Sequence, residues 1–224
     1  MTVHFQREIE KLKVKLLHLC AVVEDSLKQA VQSLEAQDAT LAGELIDRDS
    51  EIDRLEVDLE EDCLKILALH QPVAIDLRFV VTALKINNDL ERVGDLAVNI
   101  AERTVELAAA PLGESPVDFT AMAQVTMTMI QRSLDALVNM DSRLAAEVIT
   151  SDDRVDHMHR EMFITIEAAI RQRPEDTLAL LSLLSVSRHL ERIADHATNI
   201  AEDVIYMVQG RIARHVSSQP EAPR

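Results

Sequence analysis

The chain is 224 residues long and carries 23 basic against 39 acidic residues, a formal net charge of −16. Such a surface repels phosphate backbones and anionic headgroups, which excludes nucleic acid and membrane surfaces as main partners and leaves divalent cations or basic protein patches. Four Gly, six Pro, no Trp and 2% aromatic residues favour long helices over sheets.

Residues 1–19 mix Glu8, Glu10, Lys11, Lys13 and Lys15 among apolar side chains and lack the continuous apolar core of a signal peptide. The series Phe5, Ile9, Leu12, Leu16, Leu19, Val23, Leu27, Ala30 and Leu34 steps mostly by three and four, one buried face of a first long helix. Asp38 is the expected N-cap of a second helix carrying Leu41, Leu45, Ile52, Leu55, Leu59, Cys63 and Ile66, which Pro72 ends. Cys20 and Cys63 fall in apolar stripes and are expected to be buried, reduced thiols. A third helix runs from about Val73 to Leu107, roughly 50 Å at the helical rise.

Residues 110–116, with Pro111, Gly113 and Pro116, read as a linker, and Ser115-Pro116 as N-cap and first turn of a fourth helix. Asp141 is the expected cap of a fifth helix, which Pro174 ends, and a sixth runs to a C-capping Gly210. The most apolar stretch, 178–186, is much shorter than the ~20 residues of a membrane span, so a cytoplasmic protein without membrane insertion is expected. Residues 211–224 read as a disordered tail.

The second half repeats the first. Residues 90–102 match 190–202 at nine of thirteen positions, and Leu34, Asp38, Leu41, Glu44, Asp49 and Asp53 match Leu137, Asp141, Leu144, Glu147, Asp152 and Asp156 at an offset of 103. The expected fold is therefore all-α, two tandem, pseudo-symmetric three-helix bundles over 1–109 and 117–210.

In the third helix Leu90, Val93, Ala97, Ile100 and Leu107 share a core face, whereas Glu91, Asp95, Asn99 and Glu102 cluster on a different, roughly opposite face. The sixth helix repeats this with Glu191, Asp195, Asn199 and Glu202. Carboxylates at i and i+4 repel when left alone and suit a hard or borderline cation such as Mg, Mn, Fe or Zn. Asp49/Asp53 and Asp152/Asp156 have the same spacing, and His159 offers a nitrogen three residues after Asp156. Two readings stay open for these residues, a merely solvated face and a metal site. Early in helices three and six the apolar residues Leu77, Phe79, Val80, Val81 and Leu84, and Leu178, Leu180, Leu181, Leu183, Leu184 and Val186, go nearly all round the helix and require cover on every side, either from the other repeat or a second protomer or by central burial within one bundle. Neither a phosphate loop, nor a Cys/His zinc pattern, nor a nucleophile with its base is evident, and His189 and His196 read as surface or interface residues.

Leu-Glu-Arg-Val-Gly-Asp at 90–95 and Leu-Glu-Arg-Ile-Ala-Asp at 190–195, each followed by Asn-Ile-Ala-Glu, resemble the paired signature of the PhoU family, and 70–78 resembles its Gln-Pro-x-x-x-Asp-Leu-Arg segment. The resemblance spans Phe5 to Gly210. It implies two three-helix bundles, a homodimer, and a non-enzymatic regulator of phosphate uptake and phosphate-starvation signalling that negatively regulates the starvation response and links the ATPase subunit of a phosphate transporter with a sensor histidine kinase. It also implies iron or zinc on Glu91/Asp95 and Glu191/Asp195, with Asp49/Asp53 and Asp152/Asp156 as candidates opposite them. Service to a different phosphate carrier is an alternative. Two departures stand out: Ala194 replaces Gly94, and His189 replaces Asp89. The rival from another class is a ferritin-like di-metal carboxylate oxidase, which needs paired Glu-x-x-His elements that this chain lacks; a coiled-coil spacer is a third reading, at odds with the proline breaks.

Overall fold

The computed structural model describes residues 3–109, 112 and 115–211, and among them every regular element is helical. The rods expected from apolar periodicity are α1 (Val3–Ala36), α2 (Ala39–Asp47) with α3 (Ser50–His70), α4 (Ala74–Ala109), α5 (Thr120–Asn139), α6 (Ser142–Ile149) with α7 (Asp152–Gln172), and α8 (Thr177–Gln209). The all-α, doubly three-helical architecture is as the repeat implies. Most of the expected linker (110, 111, 113 and 114) and the expected tail beyond Arg211 lie outside the described residues.

Caps fall where local chemistry puts them. Asp38 accepts from the Thr40 and Leu41 amides, and Asp141 from those of Arg143 and Leu144, satisfying donors that the first turns of α2 and α6 leave unpaired. Gly210 closes α8 at φ +69°, its amide bonded to the Tyr206 carbonyl. Before Pro72, Gln71 turns left-handed and ends α3.

Two expectations need correction. The second and fifth rods are not continuous: a tight turn at Arg48 and Asp49 separates α2 from α3, and its counterpart at Thr150 and Ser151 separates α6 from α7. No proline or glycine marks either break; each lets a short and a long segment pack separately on the long third helix of its half. The fourth rod begins at Thr120 rather than at Pro116. Val117 packs against the core and Phe119 is buried, and the Asp118 carboxylate accepts from the Thr120 amide at 2.9 Å.

One continuous apolar core runs through both halves, and the whole expected α1 series from Phe5 to Leu34 is buried in it. Cys20 and Cys63 are buried free thiols, and burial pushes each up to about 12. Leu77, Leu178 and Leu181, in contrast, remain exposed, Leu178 at 83%.

The halves meet along α4 and α8, which run antiparallel. Lys85 Nζ reaches Asp203 Oδ1 at 2.9 Å and lies over the Tyr206 ring; Asp89 Oδ1 takes His196 Nδ1 at 2.8 Å and Asn199 Nδ2 at 3.2 Å; Ser182 Oγ donates to Glu106 at 2.9 Å. The two departures from exact repetition find their reasons here and beneath. Asp89 pairs with His196 across the seam, so a second aspartate at 189 is not needed for that contact. A Cβ on Gly94 would stand 2.7 Å from Ile52 Cδ1; in the other half the equivalent pair is Ala194 and Val155, a methyl moved from one helix to its neighbour.

That exchange can be measured. Gly94→Ala gains about 1 kcal/mol of helix propensity but overpacks a buried contact, for a net loss of about 1 kcal/mol. Ile52→Val alone loses roughly the same by leaving a small void. Urea unfolding of the double variant should show it more stable than either single one; simple addition of the two losses would disprove the compensation.

Candidate functional site

On α4 the residues Asn87, Glu91 and Asp95 rise by single turns, and Asp49, in the turn just before α3, with Asp53 and Glu56 on α3 does nearly the same. Because the two helices are antiparallel neighbours, the rows face one another rung by rung. Asn87 Nδ2 donates to Glu56, to its backbone oxygen at 3.0 Å and to Oε1 at 3.2 Å. One turn along, carboxylate oxygens of Asp53, Glu91 and Asp95 all lie within 4.8 Å of one another. Asp49 comes next, raised by burial and by the charges of Asp53, Asp95 and Glu102.

The second half builds the same ladder between α7 and α8. His159 faces Ser187 at 2.9 Å from Nδ1 to Oγ. The Asp156 charge raises both Glu191 and Asp195, and Asp195 is the leading neighbouring charge on Asp152. All four carboxylate pairs singled out in the sequence are thus brought together, two pairs to a groove.

The acidic rows are not uniformly solvated. Glu91, Asp95, Asp49, Glu191, Asp152 and Asp156 are only partly exposed, whereas Asp53 and Asp195 are exposed. Burial is the leading reason why Asp49, Glu56, Glu91, Glu191 and Asp195 all titrate above the usual carboxylate range, with neighbouring carboxylates second or third. Asp152 is pushed furthest, up to about 6, by burial and then by Asp195, Asp156, Asp153 and Glu191. Arginines partly offset each groove, Arg92 in the first and Arg188 with Arg192 in the second. Arg92 sits 3.2 Å from Asp95 and 3.3 Å from Glu91, and Arg188 sits 2.6 Å from Glu191. Even so, Glu91 Oε2 and Glu191 Oε2 are buried without a hydrogen bond. In the first groove, where the carboxylate oxygens of Asp53, Glu91 and Asp95 converge, the arrangement fits a divalent cation.

The remaining candidates divide. Glu102 extends the first groove toward Asp49 and also lies near His189. Asn99 is half-buried on the same helix. Asn199 is held by Asp89 at the seam rather than offered to the groove. Glu202 is half-buried. Periodicity missed the pairing of Glu56 with Asn87 and of His159 with Ser187, since these residues lie on different helices and share no local pattern.

A carboxyl that titrates higher in the folded chain than in the unfolded one favours folding while protonated. For Asp152 that contribution is present below the unfolded value of 3.8 and is lost as pH rises through about 6. Thermal melts of metal-free protein should therefore show stability rising as pH falls from 7.5 toward 5.5. Asp152→Asn should add about 1 kcal/mol at pH 7.5, less than the full shift because water reaches the groove, and should flatten the pH slope. An unchanged slope would count against the groove as the source.

The geometry can be set beside known proteins. The model of the PhoU domain matches twice, over residues 16–104 and 119–204. The phosphate-specific transport system accessory protein PhoU homolog of Aquifex aeolicus is 37% identical over 93% of this chain and 95% of its own length. PhoU homolog 1 of Thermotoga maritima is 35% identical over 93% and 90%. The crystal structure of PhoU from Pseudomonas aeruginosa superimposes with a TM-score of 0.88 at 35% identity, covering 92% of this chain and all of that one; the phosphate transport system regulatory protein PhoU from Streptococcus pneumoniae gives 0.81 at 26% identity, over 93% and 99%. With both halves matched and the fold shared, the chain belongs to the PhoU family.

Proposed function

We propose that this protein is a non-catalytic, cytoplasmic accessory of a phosphate-specific transport system, and that it regulates phosphate uptake and restrains the starvation response by docking to the transporter's ATPase subunit and to a sensor histidine kinase. The relatives that match along nearly the whole chain carry the accessory role in their names. No helix among the described residues is long and apolar enough to cross a membrane.

The observation that carries the docking mechanism is the repetition of one acidic groove in both halves. Each half, 1–109 and 117–210 with 110–116 between them, presents four paired carboxylates: Asp49, Asp53, Glu91 and Asp95 in the first, Asp152, Asp156, Glu191 and Asp195 in the second. Divalent metal, Fe, Zn, Mn or Mg, supplies the positive charge that lets such rows sit close together at neutral pH. The flanking Glu102, Glu202, Asn99 and Asn199 then border a surface whose charge speeds encounter with basic patches on the partners. Homodimerisation is supported by the apolar Leu77, Leu178 and Leu181, left exposed where α4 and α8 begin.

Replacing both Glu91→Gln and Asp95→Asn should leave far-UV ellipticity unchanged and lower the divalent metal retained after chelation and reloading. Binding of the double variant to purified transporter ATPase should weaken, most of all in its association rate at low salt. Metal content and binding equal to the parent would rule out the first groove as the working surface.

A further inference from the structure

Each half holds a cleft between its first long helix and the turn that follows its short one. In the first half this cleft, of about 260 Å³, lies beside Val22 and Ile52 and carries Asp25, Glu51 and Arg48, the last held by Gln29. In the second half the same place is a larger cleft of about 570 Å³. At the offset of 103, Thr128 stands there for Asp25, Arg154 for Glu51, Ser151 for Arg48 and Arg132 for Gln29. A net acidic lining has given way to one with two arginines and, among the described residues, no carboxylate.

The two arginines are free to meet acid on another molecule. The Arg154 side chain is exposed and makes no ion pair or hydrogen bond among the described residues, whereas the other arginines of α7, Arg160 and Arg171, sit beside Asp156 and Glu167. Arg132 is tied to Glu147 through Nη2, which fixes the guanidinium fork without using all its donors. The hydroxyls have the opposite character. Thr128 gives its proton to the Gln124 carbonyl at 2.7 Å, and Thr150 and Ser151 give theirs to the Glu147 carbonyl at 2.8 and 3.0 Å. Their oxygens are left to accept from a ligand. Val125, Met129 and Val148 supply an apolar floor.

We propose that this cleft seats an acidic, amphipathic segment of a partner protein. Its carboxylates pair with Arg154 and Arg132, an apolar side chain rests on the floor, and its backbone N–H groups donate to the Thr128, Thr150 and Ser151 oxygens. Arginine forks match carboxylates, and arginine is enriched where proteins meet. A bare inorganic anion would use the arginines but has no proton for the hydroxyl oxygens and no apolar part for the floor. Arg154 lies two residues from both Asp152 and Asp156, which at about 100° per residue puts it on nearly the opposite side of α7 from the acidic groove. The surface is therefore separate from the grooves and opposite in sign, and it stands whether or not they bind metal.

The test is fluorescence anisotropy of the full-length chain with short labelled peptides in which Glu and Asp are spaced among Leu and Val, and with Gln-for-Glu versions of the same peptides. The acidic peptides should bind in spite of the chain's net charge of −16, and the neutral versions should not. Arg154→Gln should weaken binding about tenfold, the scale of one lost charge-assisted hydrogen bond, while Arg171→Gln, farther along the same helix, should leave it unchanged. In methyl spectra of the unaltered chain the Met129 signal should move as peptide is added. Acidic peptides that fail to bind, or that bind equally well after Arg154→Gln, would overturn the proposal. Arg154-dependent binding of sulfate with no peptide bound would mark a small-anion site, and self-association lost in Arg154→Gln would mark a second copy as the occupant; either result overturns the partner segment.

Discussion

The architecture depends on what is asked of the circumference of two helices. Each of α4 and α8 buries one stripe in the core of its own half, sets a second against its antiparallel counterpart, and turns a third toward the acidic row of the preceding helix. At about 100° per residue there is room for these three faces and little else. Small side chains make it feasible: Gly94, Ala97, Ala101, Ala194, Ala197 and Ala201 are all buried, and bulk at these places would push the rods apart.

Carboxylates held in a half-buried groove are costly to the isolated protein. Opposed rows with fewer arginines than carboxylates leave net negative charge in a half-buried groove, and the raised titration of six of these groups expresses that cost. A chain selected only for stability would replace some of them with neutral residues. Their presence in both halves, at matched rungs, is the observation on which the proposed capture of cations or docking to positive charge rests.

Internal duplication supplies a control within one molecule. Where the halves agree, as at the capping Asp38 and Asp141 or at the carboxylate rungs, the shared fold or a shared task explains the residue. Where they differ, the difference is compensated nearby or breaks the symmetry of the seam. Ile52 with Gly94 against Val155 with Ala194 is compensation. Lys85 with Asp203, and Asp89 with His196, are asymmetric pairs whose counterparts, Ser185 with Arg103 and His189 with Leu96, cannot form the same bonds. They join the halves in one register without making them interchangeable.

The repeat, the helices, the caps at Asp38, Asp141 and Gly210, and the residues of both acidic rows were legible in the amino-acid order, because each depends on neighbours within a turn or two. The breaks at Arg48–Asp49 and Thr150–Ser151 and the late start of α5 were not, since no breaker residue marks the turns and the buried place of Phe119 is a tertiary demand. Nor was the direction of the carboxylates. Helical spacing fixes the angle between Glu91 and the core stripe but is silent on what stands opposite. Only the packing of α3 on α4 and of α7 on α8 turned solvated faces into grooves, paired Glu56 with Asn87, and set His159 on Ser187, because these contacts join residues about thirty positions apart that no local periodicity connects.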